Sequence, residues 1–85
     1  PWIAGGVIDG DRDEVIANAS VTVQGSDDDV THRALTDEFG DFFIRNLDSD
    51  RAYRVEISAD GYDGISREVS VYGDCDLGTV VLTRA

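Results

Sequence analysis

The stretch TDEFGDFFIRNL, residues 36–47, decides the fold of this 85-residue chain. Its first half carries turn residues, because the Asp37 side chain can bond its own backbone and a glycine can adopt a positive φ angle. Its second half alternates, so that Phe42 and Ile44 share one side of an extended segment while Phe43 faces the other side. The stretch therefore predicts a tight acidic turn that leads into a core strand.

The same period of two residues recurs along the chain between clusters of Gly, Asp, Asn and Ser. No segment has the period of a helix, and the only proline stands at position 1, outside every strand interior. Short strands about every ten residues are typical of an antiparallel β-sandwich of the immunoglobulin-like type, an all-β fold. Seven strands are predicted: residues 2–9, 19–24, 30–36, 40–45, 53–60, 68–72 and a last strand that contains Val80 and Leu82.

The length of the chain predicts one domain, residues 1–85, with a modest core. The first residue is Pro1 rather than an initiator Met, so we interpret the domain as the C-terminal fragment of a larger protein. The single cysteine, Cys75, excludes an internal disulfide. It leaves the compartment open, with the cytoplasm favoured over the periplasm or the exterior. No apolar run approaches the length of a membrane span.

The charge balance is strongly acidic, with 18 acidic residues against seven basic ones and a formal net charge of −11. Such a surface repels nucleic acids and anionic membranes, which argues against both as partners. Two interpretations remain open: a heavily solvated surface suited to high salt, or a surface that binds cations. The acids are spread along nearly every loop rather than gathered, which favours the first interpretation.

A candidate calcium site begins at Asp9, Asp11 and Asp13, which have the D-x-D-x-D spacing that opens a calcium-binding loop. The rest of the loop pattern is missing, because its sixth position is Glu rather than Gly and its twelfth is Ser rather than Glu. A second acidic run lies at residues 27–29. Solvated turn residues are the simpler interpretation of both segments.

Other chemistry is poorly supported by the sequence. His32 is the only histidine, so a tetrahedral zinc site cannot be assembled within the chain, and a Ser-His-Asp triad lacks a nucleophile elbow. Cys75 lies between Asp74 and Asp76, whose negative charges disfavour a reactive thiolate. We therefore expect a partly covered structural cysteine, no catalytic residue and no cofactor in this domain.

The order of landmarks along the chain is informative. They are G-x-V-x-D at 5–9, A-x-V-x-V at 19–23, T-D-x-x-G-x-F at 36–42, Y-x-V-x-I-x-A-x-G-Y at 53–62 and L-G-x-V-x-L at 77–82. This order resembles the carboxypeptidase regulatory-like domain, a transthyretin-like β-sandwich, over essentially the whole chain. The turn at 36–42 and the pair Gly61-Tyr62 are its most specific marks. The resemblance implies that an aromatic side chain closes one end of the sandwich.

A narrower resemblance rests on Asp41 after Gly40, on W-I-A-G at residues 2–5 and on L-G-x-x-x-L at residues 77–82. These features are similar to the C-terminal accessory domain of some iron–sulfur electron-transfer subunits of molybdopterin oxidoreductases. The resemblance implies an appended module without a cluster of its own, whose parent carries iron–sulfur clusters upstream. One cysteine fits this interpretation, because a cubane cluster typically needs four.

Five apolar residues are predicted to point away from the core: Trp2, Ile8, Leu35, Phe43 and Tyr72. The position of Phe43 is usually polar in domains of this kind. Several apolar side chains on one face mark an interface, and aromatic residues contribute most to such contacts. We therefore expect Trp2 and Phe43 to anchor contacts with other domains of the parent chain or with a partner subunit.

The first functional hypothesis is a non-catalytic accessory or docking β-sandwich of a larger protein, which the narrower resemblance identifies with an iron–sulfur electron-transfer subunit of an oxidoreductase. The alternative is a Ca²⁺-stabilised or carbohydrate-binding surface module of a secreted protein. An enzyme in its own right is disfavoured, because no constellation of residues has the spacing of a catalytic site.

Overall fold

The computed structural model describes residues 1–25 and 30–85, which form eight strands. The described residues contain no helix of the length and apolarity that a membrane crossing requires. The acidic run at residues 27–29 lies outside the described residues. The strands are β1 (Ile3–Asp9), β2 (Glu14–Val15), β3 (Ser20–Gly25), β4 (Thr31–Leu35), β5 (Asp41–Ile44), β6 (Arg51–Ser58), β7 (Ile65–Val71) and β8 (Cys75–Leu82).

Two sheets pack face to face, which confirms the predicted all-β sandwich. The first sheet is built around β1, which pairs with β8 along its whole length. Because β8 covers one edge of β1, strands β5 and β2 share the other edge. The second sheet has the order β4-β3-β6-β7 and is antiparallel throughout.

The pairing of β1 with β8 departs from the antiparallel arrangement expected for the whole fold. The two strands run parallel, with a register shift between Ala4 and Gly6. A parallel pair needs a long connection, which here is the remainder of the domain. Alternation within each strand predicts which residues face the core, but it carries no information on the direction of a partner so distant in sequence.

Some strands begin or end at residues other than the predicted ones. At these places the backbone pairs with a neighbouring strand, but the side chains show no clear apolar alternation. Strand β2 has only two residues, both exposed, and no alternation could reveal it. Strands β7 and β8 begin earlier than predicted, at Ile65 and Cys75, in segments assigned to loops from their sequence. Ile65 and Cys75 are partly buried against the core, but charged or loop-forming residues beside them interrupt the alternation, so the sequence pattern does not mark these ends.

The core follows the predicted alternation. Phe42 and Ile44 are each 4 % exposed, whereas Phe43 between them faces outward. Ala34 on the edge strand β4 is partly buried against the core, as its position predicts. The buried apolar residues are Ile3, Val7, Ile16, Ala19, Val21, Val23, Phe42, Ile44, Leu47, Tyr53, Val55, Ile57, Val71, Val80 and Leu82.

The turn before β5 has the structure that its sequence predicts. The Asp37 carboxylate accepts hydrogen bonds from the backbone N–H groups of Phe39 at 2.9 Å and Asp41 at 3.0 Å. Gly40 has a φ angle of 78°, and its carbonyl accepts a hydrogen bond from the Val7 N–H at 2.8 Å. The turn is therefore attached both to itself and to the central strand.

Thr36 connects the same turn to the segment before β3. Its hydroxyl donates to the Ile16 carbonyl at 2.6 Å and accepts from the Ala19 N–H at 2.8 Å. The side chain is buried, at 2 % exposure, and both of its hydrogen-bonding capacities are used. Thr36 thus joins two loops that lie at the same end of different strands.

Replacement of Gly40 by Ala tests how tightly this turn is built. A Cβ atom at Gly40 would lie 2.9 Å from both the Val15 Cβ and the Val7 carbonyl oxygen, in addition to the strain of positive φ. We expect Gly40→Ala to lower the free energy of unfolding by about 2–3 kcal/mol in urea titrations. Gly61→Ala is the matched control, because Gly61 has a φ of 83° but nothing within 4 Å of an added Cβ. It should lose only about 1 kcal/mol, and equal losses would contradict the steric argument.

The acidic surface predicts that salt stabilises the fold. Asp9 is the only buried acid among the described residues, so the charge repulsion lies mainly on the surface. Between about 0.02 and about 0.5 M NaCl the Debye length shrinks from about 20 Å to about 4 Å, which screens this repulsion. We expect the melting temperature to rise by at least about 5 °C over that range. KCl at the same ionic strength should act alike, because screening depends on ionic strength, and a flat response to NaCl would contradict the prediction.

Candidate interaction surface

The outer face of the first sheet is organised by the register of its strands. Residues paired across neighbouring strands share a face, so β1 forms rows with β5 or β2 on one side and β8 on the other. Three rows lie on this face: Phe43–Ala4–Asp76, Asp41–Gly6–Thr79 and Val15–Ile8–Val81. Large side chains thus occupy its two ends, and small ones lie between them.

An aromatic patch, formed by Trp2, Phe43 and Arg45, occupies one end of this face. The rings of Trp2 and Phe43 are 5.4 Å apart between centroids and are tilted by 38°. The Arg45 guanidinium lies 5.2 Å from the centroid of Phe43, within the range of a cation–π contact. Phe43 remains 46 % exposed and Trp2 is half-buried. The structure therefore brings together the two predicted anchors and adds a cation.

An open groove of about 650 Å³ lies beside the aromatic patch. Its floor is made by small residues of the central strand, including Ala4 and Gly6. Leu35 and Phe43 contribute apolar surface to it, and three carboxylates contribute negative charge. These carboxylates belong to Asp37, Asp41 and Asp76.

A second apolar row, formed by Val15, Ile8 and Val81, lies further along β1. Ile8 is half-buried between its neighbours, while Val15 and Val81 are about half exposed. Sequence reasoning selected Ile8 but missed the other two. Val81 could have been found, because it alternates with the core residues Val80 and Leu82, whereas Val15 lies in a strand too short to recognise.

The remaining predicted surface residues lie elsewhere. Tyr72 is 76 % exposed in the loop between β7 and β8, and it belongs to neither the aromatic patch nor the second apolar row. Leu35 is exposed on the edge strand β4, where it lines the groove. Cys75 is partly covered at the start of β8, as its sequence context predicts. The outer face of the first sheet therefore gathers Trp2, Phe43 and Ile8, with Leu35 at its margin.

Asp9 lies at the opposite end of β1, where it faces inward and is 2 % exposed. One carboxylate oxygen accepts hydrogen bonds from the Tyr62 hydroxyl at 2.6 Å and from the Arg84 Nε at 3.2 Å. The other accepts from the backbone N–H groups of Asp11 at 2.7 Å and Arg12 at 3.0 Å. Tyr62 thus closes this end of the sandwich, as the family resemblance implies, and its hydroxyl is held by a carboxylate.

In this arrangement the three carboxylates of the candidate calcium site at Asp9, Asp11 and Asp13 do not converge. Asp9 turns toward the core because it has the same parity as Ile3 and Val7, while Asp11 and Asp13 are exposed. Within residues 1–25 and 30–85, no group of three His, Cys, Asp or Glu side chains is placed to hold a metal ion. The Asp9 carboxylate instead orders the start of this loop through the N–H groups of Asp11 and Arg12.

The hydrogen bonds around Asp9 shift its titration. The hydrogen bond from Tyr62 lowers the pKa of Asp9 most, whereas burial of the carboxylate raises it. The N–H groups of Asp11 and Arg12 and the side chain of Arg84 lower it further, to about 2. The same contacts raise the pKa of Tyr62 and that of Arg84, because a carboxylate bound to either group favours its protonated form. Asp9 is therefore an ionised structural residue at neutral pH.

Acid titration tests this role. The pKa of Asp9 is lowered on folding from 3.8 to about 2, so its contribution to stability is complete above about pH 4 and disappears as the pH falls toward 2. We expect Asp9→Asn to melt several degrees below the native protein at pH 6, with the difference closing by about pH 2. Asp11→Asn, an exposed control with the same charge change, should show little difference at either pH. A difference for Asp9→Asn that is independent of pH would contradict the prediction.

The carboxypeptidase regulatory-like domain is the family whose model matches this chain, over residues 3–83. No curated protein matches the sequence. Among solved structures, the shaft pilin SpaA of Lactobacillus rhamnosus GG is similar, with a TM-score of 0.71 at 13 % identity over 99 % of this chain and 47 % of the pilin. The 3-chlorocatechol 1,2-dioxygenase of Rhodococcus opacus 1CP is also similar, with a TM-score of 0.71 at 11 % identity over 99 % of this chain and 59 % of the enzyme.

These similarities concern the fold alone, because the identities are low. The chain spans about half the length of the pilin and somewhat more of the dioxygenase. The match of the family model over nearly the whole sequence agrees with the observed sandwich, the turn at 36–42 and the position of Tyr62. The chain belongs to the carboxypeptidase regulatory-like domain family.

Proposed function

We propose that this domain is a non-catalytic accessory module of a larger protein and that it docks through the outer face of its first sheet. The observation that carries the proposal is the contact between Trp2 and Phe43, which places two aromatic rings 5.4 Å apart on an exposed face. Family membership supports an accessory role. The domain would contact other parts of its parent chain or a partner subunit.

The aromatic patch has the composition of an interface centre. Trp, Tyr and Arg are enriched among residues that dominate binding energy, and charged residues usually surround them. Trp2, Phe43 and Arg45 restrict one another through ring and cation–π contacts, so less side-chain entropy remains to be lost on association. The groove beside them would accept a side chain of the partner next to the ring of Phe43.

For the parent protein, we propose an iron–sulfur electron-transfer subunit of an oxidoreductase. The support is the sequence resemblance at residues 2–5, 40–41 and 77–82. In such a parent the clusters would be held by upstream cysteines, and this domain would supply no ligand. Cys75, the single cysteine, is partly covered at the start of β8, where its N–H donates to the Trp2 carbonyl at 2.8 Å. Upstream runs of C-x2-C-x2-C-x3-C, with iron bound to the purified parent, would support this assignment, and an upstream secretion signal followed by a peptidase or adhesin domain would replace it.

The alternative of a calcium-stabilised or carbohydrate-binding module has less support. Both carboxylate oxygens of Asp9 already accept two hydrogen bonds each from the protein. A melting curve recorded with increasing CaCl₂ at constant ionic strength separates the two functions. A structural calcium site then raises the melting temperature by mass action, while charge screening stays unchanged, and MgCl₂ at the same concentration is the control.

The docking proposal predicts the behaviour of Phe43→Ser. Phe43 is outside the core, so the isolated domain should melt within about 3 °C of the native one. Its affinity for the remainder of the parent protein, measured by calorimetry with separately expressed parts, should fall about tenfold or more.

Phe39→Ser is the matched control, because Phe39 is 67 % exposed at the tip of the turn before β5 and has no part in the aromatic patch. It should leave both stability and affinity unchanged. Unchanged affinity for Phe43→Ser, or loss of folding with that change, would refute the proposal.

A further inference from the structure

The first and last strands of the domain lie side by side and run in the same direction. Strands β1 and β8 are paired from Ile3 opposite Cys75 to Asp9 opposite Leu82. Both strands therefore start at one end of the pair and finish at the other. The chain enters the pair at Ile3 and leaves it at Leu82, so the two connections to the rest of a polypeptide lie at opposite ends.

This geometry determines how tension would act on the fold. A pull on both termini draws β1 toward its own start and β8 toward its own finish, so the two strands are forced to slide past each other. The hydrogen bonds of the pair lie across the strands, and sliding loads them together rather than one after another. If the pull instead separated the two strand starts, each bond would break in turn under a smaller force.

Backbone hydrogen bonds close the pair at both of its ends. At the start, the Cys75 N–H donates to the Trp2 carbonyl at 2.8 Å. At the finish, the Gly10 N–H donates to the Leu82 carbonyl at 3.0 Å, and Asp9 binds Arg84 immediately beyond β8. Neither end offers a frayed position from which the strands could peel apart.

The inner side of the same pair is part of the core. Ile3, Val7, Val80 and Leu82 are all fully buried, at 0 % exposure. Sliding of β8 along β1 would take these side chains out of register with the second sheet and expose apolar surface. Packing therefore resists the same displacement that the backbone hydrogen bonds resist.

From these contacts we propose a further function for the domain: it bears mechanical load along the polypeptide, with the β1–β8 pair as the element that resists rupture. The role requires that tension reaches both ends of the domain, through a preceding segment and through a following segment or a partner that holds the C-terminal end. In this it differs from the position at the end of a parent chain that the sequence predicts. It does not depend on docking through the aromatic patch, and either function can hold without the other.

Single-molecule force spectroscopy with two attachment geometries tests the proposal. The double variant Gly73→Cys/Cys75→Ser carries one cysteine immediately before β8, at a position where an added Cβ meets nothing within 4 Å. Tension between the two termini slides β1 along β8, whereas tension between the N-terminus and residue 73 separates the starts of the strands. We expect a several-fold higher rupture force in the first geometry at the same loading rate. Equal forces, or a lower force between the termini, would overturn the proposal.

Folding of the variant is checked by thermal melting before any force measurement. Should the double variant fail to fold, the native Cys75 serves as the attachment point in the unchanged chain, since it is partly exposed at the start of β8. The comparison of the two pulling geometries then remains the same.

A matched pair of core substitutions distinguishes two possible determinants of the rupture force, the β1–β8 pair and the overall stability of the domain. Val80 in β8 and Val55 in β6 are both buried, so Val80→Ala and Val55→Ala remove the same atoms from the core. Both variants should lose thermal stability, but only Val80→Ala should lower the rupture force between the termini. An equal fall in force for both would show that overall stability sets the force, and it would overturn the assignment to β1 and β8.

Discussion

The close approach of the Phe42 ring to Gly5 is the contact on which the rest of the first sheet depends. A Cβ atom at Gly5 would lie 3.0 Å from the ring of Phe42 and 3.0 Å from the carbonyl oxygen of Gly78. The absence of a side chain at this position in β1 therefore lets β5 pack on one side and the bulged start of β8 on the other. Because Phe42 must lie inward against the glycine, alternation directs Phe43 outward to Trp2. The inward position of Phe42 in the core and the outward position of Phe43 on the proposed docking surface thus both follow from the alternation of side chains along β5.

Asp9 imposes the second constraint, at the other end of the same strand. A buried carboxylate costs free energy unless it is paired and hydrogen-bonded, and this one is served by Tyr62 and Arg84, from 53 and 75 residues further along the chain. It therefore fixes the loop between β6 and β7 and the segment after β8 against the end of β1. In a chain where acids far outnumber bases, one of the seven arginines is committed to the one acid that is buried among the described residues.

The alternation of apolar and polar residues predicts which side chains face the core. It does not predict contacts between strands that are far apart in the sequence. The inward residues of β3, β5 and β6 and the geometry of the Asp37 turn follow from local pattern and local hydrogen bonding, so they were predictable. The parallel direction of β8 and the partners of Asp9 depend on contacts between residues far apart in the chain. One signal for Asp9 is present in the sequence, because Asp9 shares the core-facing parity of Ile3 and Val7, and a carboxylate there requires a buried partner.

For the interaction surface, the alternation of side chains predicts that Trp2 and Phe43 point outward. It does not predict the contact of Arg45 with the ring of Phe43, since alternation does not specify where a long side chain folds back.

The two proposed functions use the same pair of strands from opposite sides. The rows Phe43–Ala4–Asp76 and Val15–Ile8–Val81 cross from β5 or β2 over β1 to β8. A partner that covers this face would therefore contact both strands of the β1–β8 pair. Because such a partner binds only the native arrangement, its binding free energy adds to the stability of that arrangement. Any sliding of β8 along β1 would also break its contacts. Docking on the outer face would in this way reinforce the β1–β8 pair, while the core reinforces it from within.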